Sequence, residues 1–169
     1  MHETGADIEA LQELLDDSYA RGGAHVRSVI TSDRRPTARE LSERLQGMVL
    51  LTPATVTADG RPLAGPVDGI FYRGAFHFGS SPDSVRIGHI RQRPFVSVTH
   101  LPSEEFAVTV HGRAVELDLR SERNAGLRST LLGVYVPRYG PEWEDFLDSG
   151  PVYARVEADR VLALSMLST

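Results

Sequence analysis

The chain has 169 residues, 41% hydrophobic, 24% charged and 7% aromatic, an ordinary globular composition with enough chain for one sizeable core. All 18 basic residues are Arg, Lys and Cys are both absent, and the formal net charge is -5. The two absences exclude a Walker-type phosphate loop, a Schiff-base lysine, a disulfide frame, a thiolate nucleophile and cysteine metal sites. The acidic balance argues against coating nucleic acid or an anionic membrane through bulk charge. No apolar run is long enough for a membrane span, and Met1-His2-Glu3 lacks the basic-then-apolar order of a signal peptide. The expectation is a soluble, cytoplasmic protein.

Residues 1–35 read as an N-terminal helical arm and linker. Ile8, Leu11, Leu15 and Tyr19 recur at helical spacing, and Arg21 to Arg35 lacks periodicity. The main domain is placed at 36–169. It opens with Pro36-Thr37 and Glu40, a capping box before a short helix carrying Leu41, Leu45 and Met48. From Val49 the texture turns to strand. An apolar run leads to the Asp59-Gly60 hairpin turn, and a second strand, Leu63 to Tyr72, is interrupted by Gly65, Pro66 and Gly69. Arg73-Gly74 turns into a third strand, Ala75 to Gly79.

Ser80-Ser81-Pro82-Asp83-Ser84-Val85-Arg86 then opens a helix, with Ser81 as the expected N-cap and Pro82 as its first residue. Phe95 to Thr99 and Phe106 to Leu117 are the next strands, the latter with Ala107, Thr109, His111, Arg113 and Val115 on one face. Ser121 to Tyr135 is helical and stops before Pro137, and Pro141-Glu142-Trp143-Glu144 starts a short acidic helix. Val152 to Val156 and Arg160 to Met166 read as two strands split by an Ala158-Asp159 turn. The fold class expected is mainly β with flanking helices (α+β), the long strands indicating a barrel.

The Ser-rich joint is the most informative feature. Backbone N–H groups at a helix start, the hydroxyls of Ser80, Ser81 and Ser84, and the Arg86 guanidinium would converge on a volume suited to a phosphate. Between Arg61 and Arg93 five Arg stand against two acids, a local excess of positive charge in an acidic chain. The same residues also read as an ordinary capped helix with a solvated Arg.

These residues, with ATVTADGRPLAGPVDGIFYRGAFHFGSSPDSVRIGHIRQRPFVSV and the later AVTVHGRAVEL, resemble the pyridoxamine 5'-phosphate oxidase-like flavin-binding split barrels, over residues 40 to 118 above all. The resemblance implies a six-stranded Greek-key split barrel, a homodimer, and FMN in a cleft at the dimer interface. Ser80, Ser81, Ser84 and Arg86 fall where family members hold the flavin phosphate. Pro66, Val67, Asp68 and Gly69 fall on the strand lining the ring system, with Arg113 or His111 placed to stabilise charge on the reduced ring. Some relatives bind a deazaflavin coenzyme or haem instead. Gly65 stands where vitamin-salvage oxidases carry an Arg, Ala107 near a Gln, and Arg86 is the one counterpart of a Lys-bearing joint. Their C-terminal Arg motif is not found near Met166. The implied function is therefore a flavin-dependent oxidoreductase acting on some other small molecule, with a deazaflavin-dependent reductase or a non-catalytic flavin or haem carrier as alternatives.

Other chemistry fares worse. The six His show no metal-binding spacing, and Gly79-Ser80-Ser81-Pro82-Asp83 lacks the second Gly of a nucleophile elbow. Trp143, set among acids, reads as an anchor for its short helix. No metal site and no catalytic side chain is assigned.

Overall fold

In the computed structural model, which describes residues 1–166, the interrupted second strand becomes two short ones laid along β1 in a single register. β1 (Met48–Val56) pairs with β2 (Pro62–Ala64) and β3 (Val67–Tyr72), Ala54 facing Ala64, Leu51 facing Val67 and Met48 facing Ile70. The Gly65 N–H still reaches the Pro53 carbonyl at 3.3 Å, but Pro66 has no N–H to donate, and the strand breaks there. Arg73 and Gly74, with φ of 50° and 76°, form the two-residue turn into β4 (Ala75–Ser80).

β5 (Phe95–Ser103), β6 (Phe106–Leu117) and β7 (Val152–Ser165) complete the sheet, ordered β1-β3-β4-β7-β6-β5, with β5 returning to pair with β1. Six antiparallel strands thus close a barrel, with β2 as an extra short strand, in the Greek-key split-barrel α+β fold expected. Alternation sends Phe71, Phe76, Phe78, Val98, Val108 and Ala154 into the barrel core.

Helices close the barrel. α1 (Gly5–Ala20) starts at a capping box in which Thr4 and Asp7 bond each other's backbone N–H, a signal the sequence reading passed over. Its Leu11, Leu15 and Tyr19 join the barrel core. The Tyr19 hydroxyl donates to the Ala163 carbonyl at 2.9 Å, and the Ser18 hydroxyl accepts from the Val161 N–H at 3.0 Å, so the arm is bonded to β7. Burial pushes the Tyr19 phenol up to about 12. The stretch expected to be irregular holds a short helix, α2 (Ala24–Val29), and a 3-10 turn at Ser32–Arg34. α3 (Ala38–Arg44) has the expected Thr37–Glu40 capping box.

α4 (Val85–Gln92) docks on β1 through His89 Nδ1, 2.9 Å from the Thr55 hydroxyl, and through Arg93, after the helix, whose Nε donates to the Val56 carbonyl at 2.9 Å. α5 (Ala125–Tyr139) and α6 (Glu142–Ser149) cover the outside of β3 and β7, enclosing a second core of Ile70, Leu127, Leu131, Tyr135, Leu147 and Tyr153. Among the described residues no helix is long and apolar enough to cross a membrane.

Three local expectations are corrected. The Ala158-Asp159 turn is a β-bulge inside one continuous β7: His111 faces Arg160 and Gly112 faces Ala158, leaving Asp159 as the extra residue. Gly112 makes this possible, since a Cβ there would collide with the Glu157 carbonyl oxygen and lie 2.9 Å from Ala158 Cα. Ser84, not Ser81, caps α4, because Ser81-Pro82-Asp83 forms a separate turn in which the Ser84 N–H bonds the Ser81 carbonyl. α5 starts after a 3-10 turn at Glu122–Asn124 and holds Pro137 in its last turn, ending at Gly140 with φ of 95°. Residues 167–169 of the expected main domain lie outside the described residues.

Candidate cofactor cleft

The cleft starts from a change in strand pairing. The β3–β4 ladder ends at Gly69 facing Phe78. Beyond it, Asp68 of β3 and Gly79, Ser80, Ser81 and Pro82 at the end of β4 border a cleft of about 680 Å³. The opposite wall is aromatic: Tyr139, Trp143 and Phe146 from α5 and α6, and Tyr153 from β7. Gly79 is required here, because a Cβ would sit 2.8 Å from the Tyr153 ring.

At the serine end, the Ser80 hydroxyl donates to the Ser84 hydroxyl at 2.9 Å, and the Ser84 hydroxyl accepts from the Ile87 N–H at 3.3 Å. Strand end and helix cap are thereby tied together, with the positive end of the α4 dipole behind them. The Arg86 Nη2 donates to the Gly65 carbonyl at 3.0 Å and the Pro66 carbonyl at 3.4 Å. It clamps α4 to the break between β2 and β3. Burial lowers its pKa, yet a guanidinium stays cationic.

The aromatic wall is backed by a stack. The Tyr135 ring lies 4.6 Å from Trp143 and 6.0 Å from Tyr139, nearly parallel to both. The Tyr135 hydroxyl is buried without a hydrogen-bond partner among the described residues. Burial, then the Asp68 carboxylate, pushes both the Tyr135 and Tyr153 phenols well above their ordinary value. Both stay protonated across the neutral range.

Of the residues singled out in the sequence, Asp68, Ser80 and Ser81 border the cleft, and Ser84 and Arg86 support it through the bonds above. Pro66 contributes its carbonyl to Arg86, and Val67 packs against the barrel core. Gly69 pairs with Val49 on one side and Phe78 on the other, and its missing side chain makes room for Leu51, whose Cδ1 would be 2.7 Å from a Cβ. Arg113 is not brought to the cleft. It lies on the outer face of β6 with its guanidinium 5.4 Å from the centre of the Phe95 ring, beside His111, whose Nδ1 is 2.7 Å from the Ser97 hydroxyl. The sequence reading missed Tyr139, Phe146 and Tyr153 and took Trp143 as an anchor only. The aromatic density of Tyr135 to Phe146 was the available signal. Among the described residues no cluster of His, Asp or Glu could hold a metal ion.

No family model and no curated protein matches the sequence. Solved structures do match in three dimensions. The conserved hypothetical protein Rv2991 from Mycobacterium tuberculosis aligns with a TM-score of 0.64 at 19% identity, over 79% of this chain and 88% of that one. The haem storage protein HutZ from Vibrio cholerae aligns with a TM-score of 0.60 at 19% identity, over 75% and 93%. An FAD-binding protein from Mesorhizobium loti aligns with a TM-score of 0.52 at 20% identity, over 69% and 83%. Strand order and these likenesses together make the chain a split barrel of the pyridoxamine 5'-phosphate oxidase-like fold.

Proposed function

We propose that this protein binds FMN and acts as an oxidoreductase, passing hydride or electrons through the flavin to a small molecule other than a vitamin-salvage substrate. The observation that carries the reading is the joint of Ser80, Ser84 and the α4 N-terminus beside a cleft walled by aromatic rings. Hydroxyls and a helix dipole at one end suit a phosphate, and flat apolar walls suit a ring system. The likeness to an FAD-binding protein supports the same reading. Against haem, none of the residues lining the cleft is His or Met, and the Tyr153 phenol there is held protonated, unlike the phenolate that ligates haem iron.

When bound, the flavin supplies the redox chemistry itself. The protein's part is binding and orientation. Ser80, Ser81 and Ser84 would hold the phosphate with the charge of Arg86, and Asp68, Trp143 and Tyr153 would border the remainder of the cofactor and exclude water. The active form is a homodimer. Leu50 and Leu101 are 64% and 63% exposed on the outer faces of adjacent strands β1 and β5, with Phe95 at 63% farther along β5. A second copy seated there would cover them.

The test is an absorption spectrum of the purified protein, with and without added FMN. A retained flavin band is expected, followed by oxidation of a nicotinamide donor. A protein that retains no FMN but holds the deazaflavin coenzyme or haem overturns the FMN assignment. Flavin retained without turnover makes it a carrier.

A further inference from the structure

The other end of α5 borders a second cleft, of about 460 Å³, which the flavin reading does not use. It lies between the β3–β4 turn, the outer faces of β4, β6 and β7, and the start of α5. With 15 residues in α5, about 1.5 Å of rise per residue puts its two ends, and hence the two clefts, roughly 20 Å apart.

Three arginines face this space, from three different elements: Arg73, Arg123 and Arg155. Arg73 is held by Asp7, with Nε 3.0 Å from the carboxylate. The guanidinium groups of Arg123 and Arg155 make no hydrogen bond or ion pair with any described residue. Glu157, also on the lining, pairs with neither. α5 begins without a side-chain cap, because the Asn124 amide turns back to the Asp118 carbonyl at 2.7 Å and the Ser121 hydroxyl at 3.1 Å. The Ala125 N–H bonds the Glu122 carbonyl, so the 3-10 turn runs directly into the helix. The Tyr72 hydroxyl sits against the first turn of α5, 2.5 Å from where a Gly126 Cβ would be, with no hydrogen-bond partner among the described residues.

The decisive group is His77, which lines the cleft while only 3% exposed. Its Nδ1 is 3.1 Å from the Ala75 carbonyl oxygen, which can only accept, so Nδ1 carries the proton. Burial and the nearby Arg155 cation hold the ring neutral, with its pKa lowered to about 4. Nε2 has no partner among the described residues, and with His77 on the lining it is an acceptor that a donor in the cleft can reach.

We infer that this cleft binds a small hydroxylated oxyanion, its acidic group held by Arg123 and Arg155, and its hydroxyl donating to His77 Nε2. Both hydroxycarboxylates and hydroxylated phosphate esters present this chemistry. The guanidinium groups recognise the charge, and the neutral imidazole recognises the hydroxyl.

Isothermal titration of the full chain with citrate, tricarballylate, glycerol 3-phosphate and inorganic phosphate tests this. Tricarballylate is citrate without the hydroxyl. The proposal expects citrate or glycerol 3-phosphate to bind with a Kd of about 1 mM or tighter, the better of the two naming the source. Citrate should bind at least about tenfold tighter than tricarballylate if it is the ligand, or glycerol 3-phosphate tighter than phosphate by the same margin. The Arg123→Ala/Arg155→Ala double variant should abolish the binding while FMN affinity, read from Trp143 fluorescence, stays unchanged. Absence of binding by all four compounds overturns the site, as does undiminished binding by the double variant. Equal affinity with and without the hydroxyl overturns the role of His77. None of these results depends on the flavin reading.

Discussion

Replacing Arg86 probes the phosphate end of the first cleft. One guanidinium nitrogen, Nη2, is engaged by the Gly65 and Pro66 carbonyls, while Nε and Nη1 have no partner among the described residues. A charge-assisted contact from the free side to a phosphate is worth about 1.5–3 kcal/mol, so Arg86→Ala should weaken FMN binding by about 10- to 150-fold. The chain supplies its own reporter: Trp143 is its one tryptophan and lines the cleft, so bound flavin should quench its fluorescence. Arg86→Ala also frees the Gly65 carbonyl, and a urea midpoint measured alongside separates this loss of stability from loss of binding. Arg86→Lys keeps the charge and loses the planar fork, so its affinity should fall between wild type and Ala. FMN affinity unchanged in Arg86→Ala would refute the phosphate placement. Lys as damaging as Ala would reduce Arg86 to a clamp on the β2–β3 break.

Further outcomes can be checked independently. His77 is held neutral, its folded pKa of about 4 lying below the ordinary 6.5, so protonation favours the unfolded chain. Stability should be full above about pH 6.5 and fall by roughly 3 kcal/mol as pH drops toward 4, and His77→Phe should flatten that limb of a pH series of urea midpoints. Gly112→Ala forces a Cβ into the Glu157 carbonyl at the bulge, and chemical denaturation should show a loss of about 3 kcal/mol or more. Leu50→Glu with Leu101→Glu places like charges on the exposed β1–β5 face, and light scattering should report a dimer for the wild type and a monomer for the variant. Trp143→Ala removes a ring stacked on Tyr135 and should cost about 3–5 kcal/mol, together with the flavin-binding wall.

Local chemistry made much of the barrel legible in the sequence. Asp59-Gly60 and Arg73-Gly74 specify tight turns because few residues tolerate positive φ, and Thr37 with Glu40 specifies a helix start by mutual capping. The period-two pattern of β6 put His111 and Arg113 on one face, and the structure turns that face outward. The Ser80–Arg86 joint was visible as hydroxyls at a strand-to-helix turn. What failed locally failed through competing local options: Ser81 and Ser84 are both able caps, and the turn at Ser81-Pro82-Asp83 decided for Ser84.

The rest belonged to tertiary structure. Ala158-Asp159 has the composition of a turn, and only the presence of β6, with Gly112 opposite, converts it to a bulge. Trp143 becomes a cleft wall because α6 folds back over β7, and no spacing within the helix encodes that contact. His77, a lone histidine in an apolar strand, is held neutral through burial and through β7 placing Arg155 opposite it. Strands, turns and caps are short-range properties, which a single sequence carries. Both clefts depend on which distant side chains meet, and that is decided by the closing of the barrel and the docking of α5 and α6.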